Sequence, residues 1–232
     1  MANKEKNKEK TEENIIAVES MLNRSEQFFE NNYKVILSVV AGIVLIVVLG
    51  FGYVRFVKEP KNREAQAAMF MAQRYFESDS LVKAMNGDGV NMGFLAVADE
   101  YSSTDAGNLA NYYLGVIYMQ KGEFDNAIER LEKFDGNDLI VSSMANGLIG
   151  DAYLEKNDQE SALKYYKKAS EKNKNSFTTP LFLMRAGLVY ELQNKWEDAL
   201  KNYEIIKNEY SRSGEGQEID KYISRANAKL NK

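Results

Sequence analysis

GVIYMQKGEFDNAIERL, residues 115–131, returns twice with nearly the same spelling, as GDAYLEKNDQESALKYY (150–166) and GLVYELQNKWEDALKNY (187–203). Each copy has a glycine, a tyrosine three residues on, an alanine nine beyond that and a large apolar or aromatic residue four later. Gly115, Gly150 and Gly187 are spaced by 35 and 37 residues, a period that marks an array of helical hairpins. Within each copy the first helix carries the glycine and tyrosine. The second helix carries Ala127, Ala162 or Ala199, and the turns QKGE, KNDQ and QNK are rich in glycine and asparagine. A mid-helix glycine costs about 1 kcal/mol relative to alanine, so three at one register ask for a packing reason. The expected reason is close approach of the second helix through its alanine. Leu131, Tyr166 and Tyr203 are expected to fill the space between pairs, and Phe124 and Trp196 to clamp the turns.

Outward from this core the chain reads as all-α. With 232 residues and two prolines, most of its length is free to be helical. It has no cysteine and no histidine, which removes disulfides, thiolate chemistry and the commonest general base. The net charge of −4 supplies no basic surplus for nucleic acid. No phosphate loop, nucleophile elbow or metal-ligand spacing is present, so the expectation is neither an enzyme nor a cofactor binder. Asp135 and Asp138 flank a turn and read as solvation or capping. Thr104 or Asp105 can cap the first repeat helix, and Pro180 suits a first turn with Thr179 as its cap.

Val35 to Val54, VILSVVAGIVLIVVLGFGYV, carries no charge over twenty residues, and fourteen of these are Val, Ile, Leu or Phe. As a helix it spans roughly 30 Å, enough to cross a bilayer, with an insertion free energy of roughly −4 to −8 kcal/mol as an upper bound. Tyr33 and Tyr53 stand at its ends as interfacial anchors, and Ser38 with Gly42 forms a weak small-xxx-small pair. Lysine and arginine number six in residues 1–34 and five in 55–74, so the charge count does not orient the span. A short N-terminal arm and a long C-terminal domain favour a cytoplasmic N-terminus. The expected organisation is an arm over 1–33, a span over 34–57, a degenerate first repeat over 58–107, three repeats over 108–212 and a capping helix over 213–232. In the arm, residues 15–32 read equally as an amphipathic helix on the membrane surface or as a lead-in to the span. In the degenerate repeat, Phe94 to Tyr101 is the second helix, with an insertion between the two halves.

The order Leu114-Gly115…Tyr118…Ala127…Leu131, Ile149-Gly150…Tyr153…Ala162…Tyr166…Ala169 and Ala186-Gly187…Tyr190…Ala199…Tyr203 resembles the tetratricopeptide repeat. The repeat's early tryptophan is replaced by Asn111, Asn146 and Leu183, and its terminal proline is absent. The resemblance implies a right-handed superhelix of antiparallel helix pairs that binds protein segments in a concave groove. Carried over position by position, the groove takes Leu109, Tyr112, Val116 and Met119 from the first repeat. Met144, Gly147, Asp151 and Leu154 come from the second, and Leu181, Met184, Leu188 and Glu191 from the third. The alternative is that the C-terminal helix or a loop fills this groove and makes these core residues. Tyr112 and Val116 stand where the repeat's carboxylate clamp needs Lys and Asn, so no acidic chaperone tail is expected there. A charged N-terminus, one span and the VADEYSSTDAGNLANYYLG junction (97–115) together resemble the ancillary SecYEG translocon subunit (YfgM-like) family. That resemblance implies a bacterial inner-membrane protein whose repeat domain is periplasmic, with translocon subunits or exported polypeptides as partners.

Overall fold

The computed structural model describes residues 31–136 and 138–230. The possible amphipathic helix over 15–32 therefore lies almost entirely outside the described residues. All regular structure among the described residues is helical. The chain divides into two compact units, with the boundary between Glu59 and Pro60.

In the first unit, α1 covers residues 31–53 and is followed by a π-helical turn, Val54–Lys58. Its apolar side chains are largely exposed among the described residues: Leu45, Leu49 and Phe51 are 60%, 63% and 73% exposed. An eighteen-residue window of mean hydropathy 2.9 has none of its residues buried, and by length and composition this helix is able to cross a membrane. Ser38 is tied to its own helix, its hydroxyl donating to the Lys34 carbonyl at 2.7 Å.

The second unit contains all but the first residue of α2 (Glu59–Glu77), and α3 (Leu81–Asn86), α4 (Phe94–Glu100), α5 (Asp105–Gln120), α6 (Phe124–Lys133), α7 (Val141–Glu155), α8 (Gln159–Lys172), α9 (Thr178–Leu192), α10 (Trp196–Glu209) and α11 (Gly214–Leu230). Helices α5/α6, α7/α8 and α9/α10 are the three hairpins that carry the repeated spelling. Each turn contains one residue in the left-handed region: Gly122 (φ 71°), Asn157 (φ 60°) and Asn194 (φ 57°). Each places two backbone hydrogen bonds over the end of the first helix. Glu123, Asp158 and Lys195 donate to the carbonyls of Tyr118, Tyr153 and Tyr190, at 2.9, 2.8 and 2.9 Å. This is the Schellman closure, which satisfies carbonyls left over at the helix end and explains the glycine or asparagine.

The same closure stands at the end of α2. Asp79 has φ 58°, and Ser80 donates to the Tyr75 carbonyl at 2.8 Å. Aligned on it, AQRYFESDSLVKA (72–84) is a fourth copy, with Tyr75 and the fully buried Ala84 in register with the tyrosines and alanines of the others. The second helix of this hairpin starts in register as α3, stops at Asn86 and gives way to a loop opened by Gly87 (φ 84°). The interruption thus falls inside the second helix, not between the two halves.

The repeated glycine has a different neighbour from the one its spelling suggests. A methyl group on Gly115 would lie 2.6 Å from Cδ2 of Leu131. On Gly150 it would lie 2.7 Å from Cδ1 of Tyr166, and on Gly187 2.8 Å from Cζ of Tyr203. At Gly150 the alanine of the second helix also stands near, through the Ala162 carbonyl at 3.3 Å. Leu131, Tyr166 and Tyr203 therefore seat inside each pair, fully buried, where sequence spacing had put them between pairs. Burying such a side chain contributes about 1.5–3 kcal/mol, more than the roughly 1 kcal/mol the glycine loses. At position 72, an alanine, the residue sixteen beyond is Asp88, an exposed residue of the loop after α3, and other side chains of the first core cluster bury Ala72 completely.

Helix starts follow local chemistry. Thr104 caps α5, its hydroxyl accepting from the Gly107 amide at 3.1 Å. Asp138 caps α7, accepting from the amides of Ile140 (2.8 Å) and Ser142 (3.2 Å). At α9 the capping role belongs to Asn175, whose Oδ1 accepts from the Phe177 and Thr178 amides at 2.8 Å each. Thr179 and Pro180 already lie within the helix. Stacking between pairs uses aromatic rings. Phe94 and Tyr113 are parallel at 4.7 Å, and Phe182 of α9 lies over Gly147 of α7. Helix α11 covers the exposed end of α9/α10 with Ile219 and Ala226.

Candidate partner-binding surface

Counting from the repeated glycine puts the groove positions of α5, α7 and α9 in register, three helices side by side. One set, three before and four after the glycine, turns toward the next hairpin. Tyr112 and Met119 pack on Ile128, Leu131, Ala145 and Ile149, with the Tyr112 ring 5.5 Å from that of Phe134. Leu154 packs on the cluster around Tyr166 and Phe182. Met184 is 9% exposed, in a cluster with Tyr203 and Ile219. Gly147 is buried beneath Phe182. Here α11 packs on Met184 through Ile219 and pairs with Glu191 through Arg225.

The other set, six before and one after the glycine, is more open. Leu109, Met144 and Leu181 are half-buried, each against a neighbouring cluster. Val116 is half-buried and Leu188 is 37% exposed. Leu192, four residues past Leu188 on the same stripe, is 63% exposed and belongs with them. Its counterparts Gln120 and Glu155 are polar, so a leucine at that register was the signal in the sequence that it belonged to this surface.

Asp151 is not a free lining group. It accepts from the Tyr166 hydroxyl at 2.7 Å and forms an ion pair with Arg185 of the next hairpin. Glu191 repeats the arrangement, accepting from the Tyr203 hydroxyl at 2.9 Å and pairing with Arg225 of α11 at 2.7 Å. In both, carboxylate and arginine are 34 residues apart. Burial, then the adjacent carboxylate, pushes the Tyr166 and Tyr203 hydroxyls well above the ordinary phenol value, so both stay donors. The guanidinium groups also lie over rings, Arg185 5.7 Å from Phe182 and Arg225 4.9 Å from Tyr222. These clips bolt one hairpin to the next. The junction between α5/α6 and α7/α8 has Val116 and Met119 at the corresponding places and is tied instead by the Asp125–Lys156 ion pair and by Tyr165, whose hydroxyl donates to Glu132 at 2.6 Å.

Two concave pockets open on another side of the unit, between successive second helices. One, about 300 Å³, lies among α8, α9 and α10, with Leu163, Leu183, Ala186, Tyr190 and Ile205 in its wall. The other, about 370 Å³, lies among α6, α7 and α8 and is more polar, with Ser142, Asn146 and Tyr165. None of the groove positions carried over from the repeat lines either one. Among the described residues no three carboxylates stand close enough to hold a metal ion. The surfaces present shape and apolar contact, not convergent reactive groups.

Comparison with known proteins agrees with this architecture. No curated protein is similar enough to the chain to count as a relative. Among solved structures, the MamA protein is 22% identical, with a TM-score of 0.51 over 72% of this chain and 92% of its own. A Podosopora anserina kinesin-light-chain candidate with nearly identical TPR-like repeats is 13% identical, with a TM-score of 0.54 over 74% of this chain and 88% of its own. At these identities the likeness concerns the fold. The profile of the tetratricopeptide repeat-like domain matches residues 26–205, more than half of the chain, and with the in-register hairpins it places this protein in the tetratricopeptide repeat-like domain family.

Proposed function

We propose that this chain is a membrane-anchored protein-binding module that holds a polypeptide segment on the first-helix face of its repeats. The observation that carries the reading is the exposed stripe of α9, Leu188 and Leu192, in register with Val116, in a fold whose family binds proteins. Leu109, Met144 and Leu181 support it from below. Tyr112, Met119, Leu154 and Met184 shape the floor without reaching the partner, and Asp151 holds the wall in place. Anchoring through α1 raises the effective concentration of a weak surface near its partners without demanding high affinity.

Resemblance to the ancillary SecYEG translocon subunit family favours an accessory or chaperone-like role at the export machinery. The anchor would then sit in a bacterial inner membrane, N-terminus in the cytoplasm and repeats in the periplasm. The second reading is an assembly scaffold for another envelope complex with one folded partner. A photo-crosslinker at Leu188 or Leu192 in intact membranes separates the two. Many heterogeneous adducts support client binding, one discrete adduct supports a scaffold, and no adduct at either position removes the proposed surface. Protease added to spheroplasts tests orientation: residues 60–230 should be cut, and their survival with loss of the N-terminus reverses the topology.

A further inference from the structure

The two ends of the repeat unit differ in their chemistry. At one end stand the hairpin turns, and their residues are polar or glycine throughout: Ser78-Asp79-Ser80, Lys121-Gly122-Glu123, Lys156-Asn157-Asp158 and Gln193-Asn194-Lys195. At the other end, in the loops between hairpins, three large apolar side chains are exposed. Leu139 and Ile140, before α7, are 66% and 47% exposed, and Phe177, before α9, is 60% exposed. They share one patch. The Asn175 side chain donates to the Leu139 carbonyl at 3.1 Å and accepts from the Phe177 amide at 2.8 Å, so a single carboxamide spans the two loops. Asn173 adds a bond to the Asp138 carbonyl at 2.7 Å. The same end holds the start of α2. Lys61 donates to the Ser103 hydroxyl at 3.2 Å, and Asn108, in the first turn of α5, exchanges bonds of 2.7 and 2.9 Å with the backbone of Asp135. A row of contacts thus follows this edge from the first turn of α2 to the loop of Leu139.

We propose that Leu139, Ile140 and Phe177 insert into the interfacial layer of the membrane, a lipid contact made by the repeat unit itself. The proposal rests on the reading of α1 as a membrane span. Only residues 55–59 separate the uncharged run from Pro60. Even fully extended, that link keeps the start of α2 within roughly 20 Å of the bilayer, so the end that carries the patch is the end held at the lipid. Large apolar and aromatic side chains are the ones that enter the boundary between headgroups and acyl chains. A folded partner fits less well. A stable protein interface takes about 20–30 residues a side, and the flanking loops, Ser102-Ser103 and Ser211-Arg212-Ser213, add no apolar side chain. Shallow insertion of three side chains suffices where a tether supplies the local concentration. Both signs of charge stand along the edge, Asp135 and Asp138 with Lys172 and Lys174, so the contact is apolar and does not select anionic lipid.

The chain has no cysteine, so single cysteines can be introduced and labelled with an environment-sensitive fluorophore. The full chain is placed in nanodiscs, one copy in each, and quenching by brominated lipid is read. Ser176→Cys, beside Phe177, should be quenched, and Lys195→Cys, at the hairpin-turn end, should not. Leu45→Cys reports the span. Leu139→Ser, Ile140→Ser and Phe177→Ser together should bring the Ser176 label to the level of the Lys195 label and leave the Leu45 label unchanged. If the triple change lowers the melting temperature, Leu139→Ser with Phe177→Ser, both more than half exposed, takes its place and should reduce the quenching about twofold or more. Phosphatidylcholine discs, with or without phosphatidylglycerol, should give the same result. A Ser176 label in water while the Leu45 label is quenched overturns the proposal and leaves the anchor standing. A Leu45 label in water overturns the anchor and the proposal with it. The proposal is also overturned if the quenching ignores the serine changes or needs phosphatidylglycerol. Shielding of the Ser176 label that requires two copies in one disc overturns it as well, and makes a second copy the occupant.

Discussion

Hairpins α7/α8 and α2/α3 share one spelling and one turn, yet only the first closes fully. In α7/α8 the second helix runs long enough to lay Tyr166 on Gly150. In α2/α3 it stops at Asn86, the sixteenth residue is a loop aspartate, and alanine stands at position 72. The difference teaches that the glycine answers to a residue of the opposite helix and has no meaning by itself. Where the ring is missing, the methyl group returns.

The comparison breaks most sharply at the ring. Tyr166→Ala removes a fully buried side chain and leaves Asp151 without its hydroxyl donor, so we expect a loss of about 3–5 kcal/mol in urea unfolding. Asp88→Ala, at the corresponding place in α2/α3, removes an exposed carboxylate that accepts from the Tyr75 hydroxyl and the Val90 and Asn91 amides, and should lose less, about 1–2 kcal/mol. Equal losses at both positions would mean that the closed and open hairpins do not differ as described.

Gly150→Ala brings a methyl group against the Tyr166 ring and should destabilise by about 1–3 kcal/mol despite better helix propensity. Combined with Tyr166→Ala it should cost clearly less than the two single changes added, because the ring it collides with is gone. Ala72→Gly should cost about 1 kcal/mol, with no such coupling.

Arg185→Ala opens the clip on Asp151 and should cost about 1–2 kcal/mol, given that the pair is partly solvated. Amide exchange should rise in α9 and leave α5 unaffected. If α5 loosens equally, the clips do not act junction by junction.

The smallest effect concerns pH. Partial burial raises the Asp138 carboxyl, but the Ile140 and Val141 amides and Ser142 outweigh it and hold the group below its ordinary value. Because the folded value is depressed, its stabilisation is fully present above the ordinary carboxylate value. It fades as pH falls through the folded one. Melting temperatures followed downward from about pH 5 should fall less steeply for Asp138→Asn, which keeps an acceptor but cannot titrate.

Much of the fold was legible because its determinants are local. The tyrosines, the turn residues and the uncharged run at 35–54 each act through the backbone nearest to them. The fourth hairpin was only half legible: its glycine position holds alanine and its left-handed turn residue is an aspartate, so the usual signals were muted. The partner of the glycine was misassigned because spacing along one helix does not tell which side chain of the other reaches it. The surface was less legible still. Family register located the first-helix face, but Met184 is covered by α11 and Asp151 is claimed by Arg185, and both facts depend on neighbours 34 or more residues away.

A ring seated in a notch behaves mechanically like a key in its slot. The two rods of α7/α8 resist sliding along each other, because an axial shift takes the Tyr166 ring out of the space that Gly150 leaves for it. Compliance in the array must therefore reside at the joints between hairpins, where partly exposed ion pairs tie one hairpin to the next.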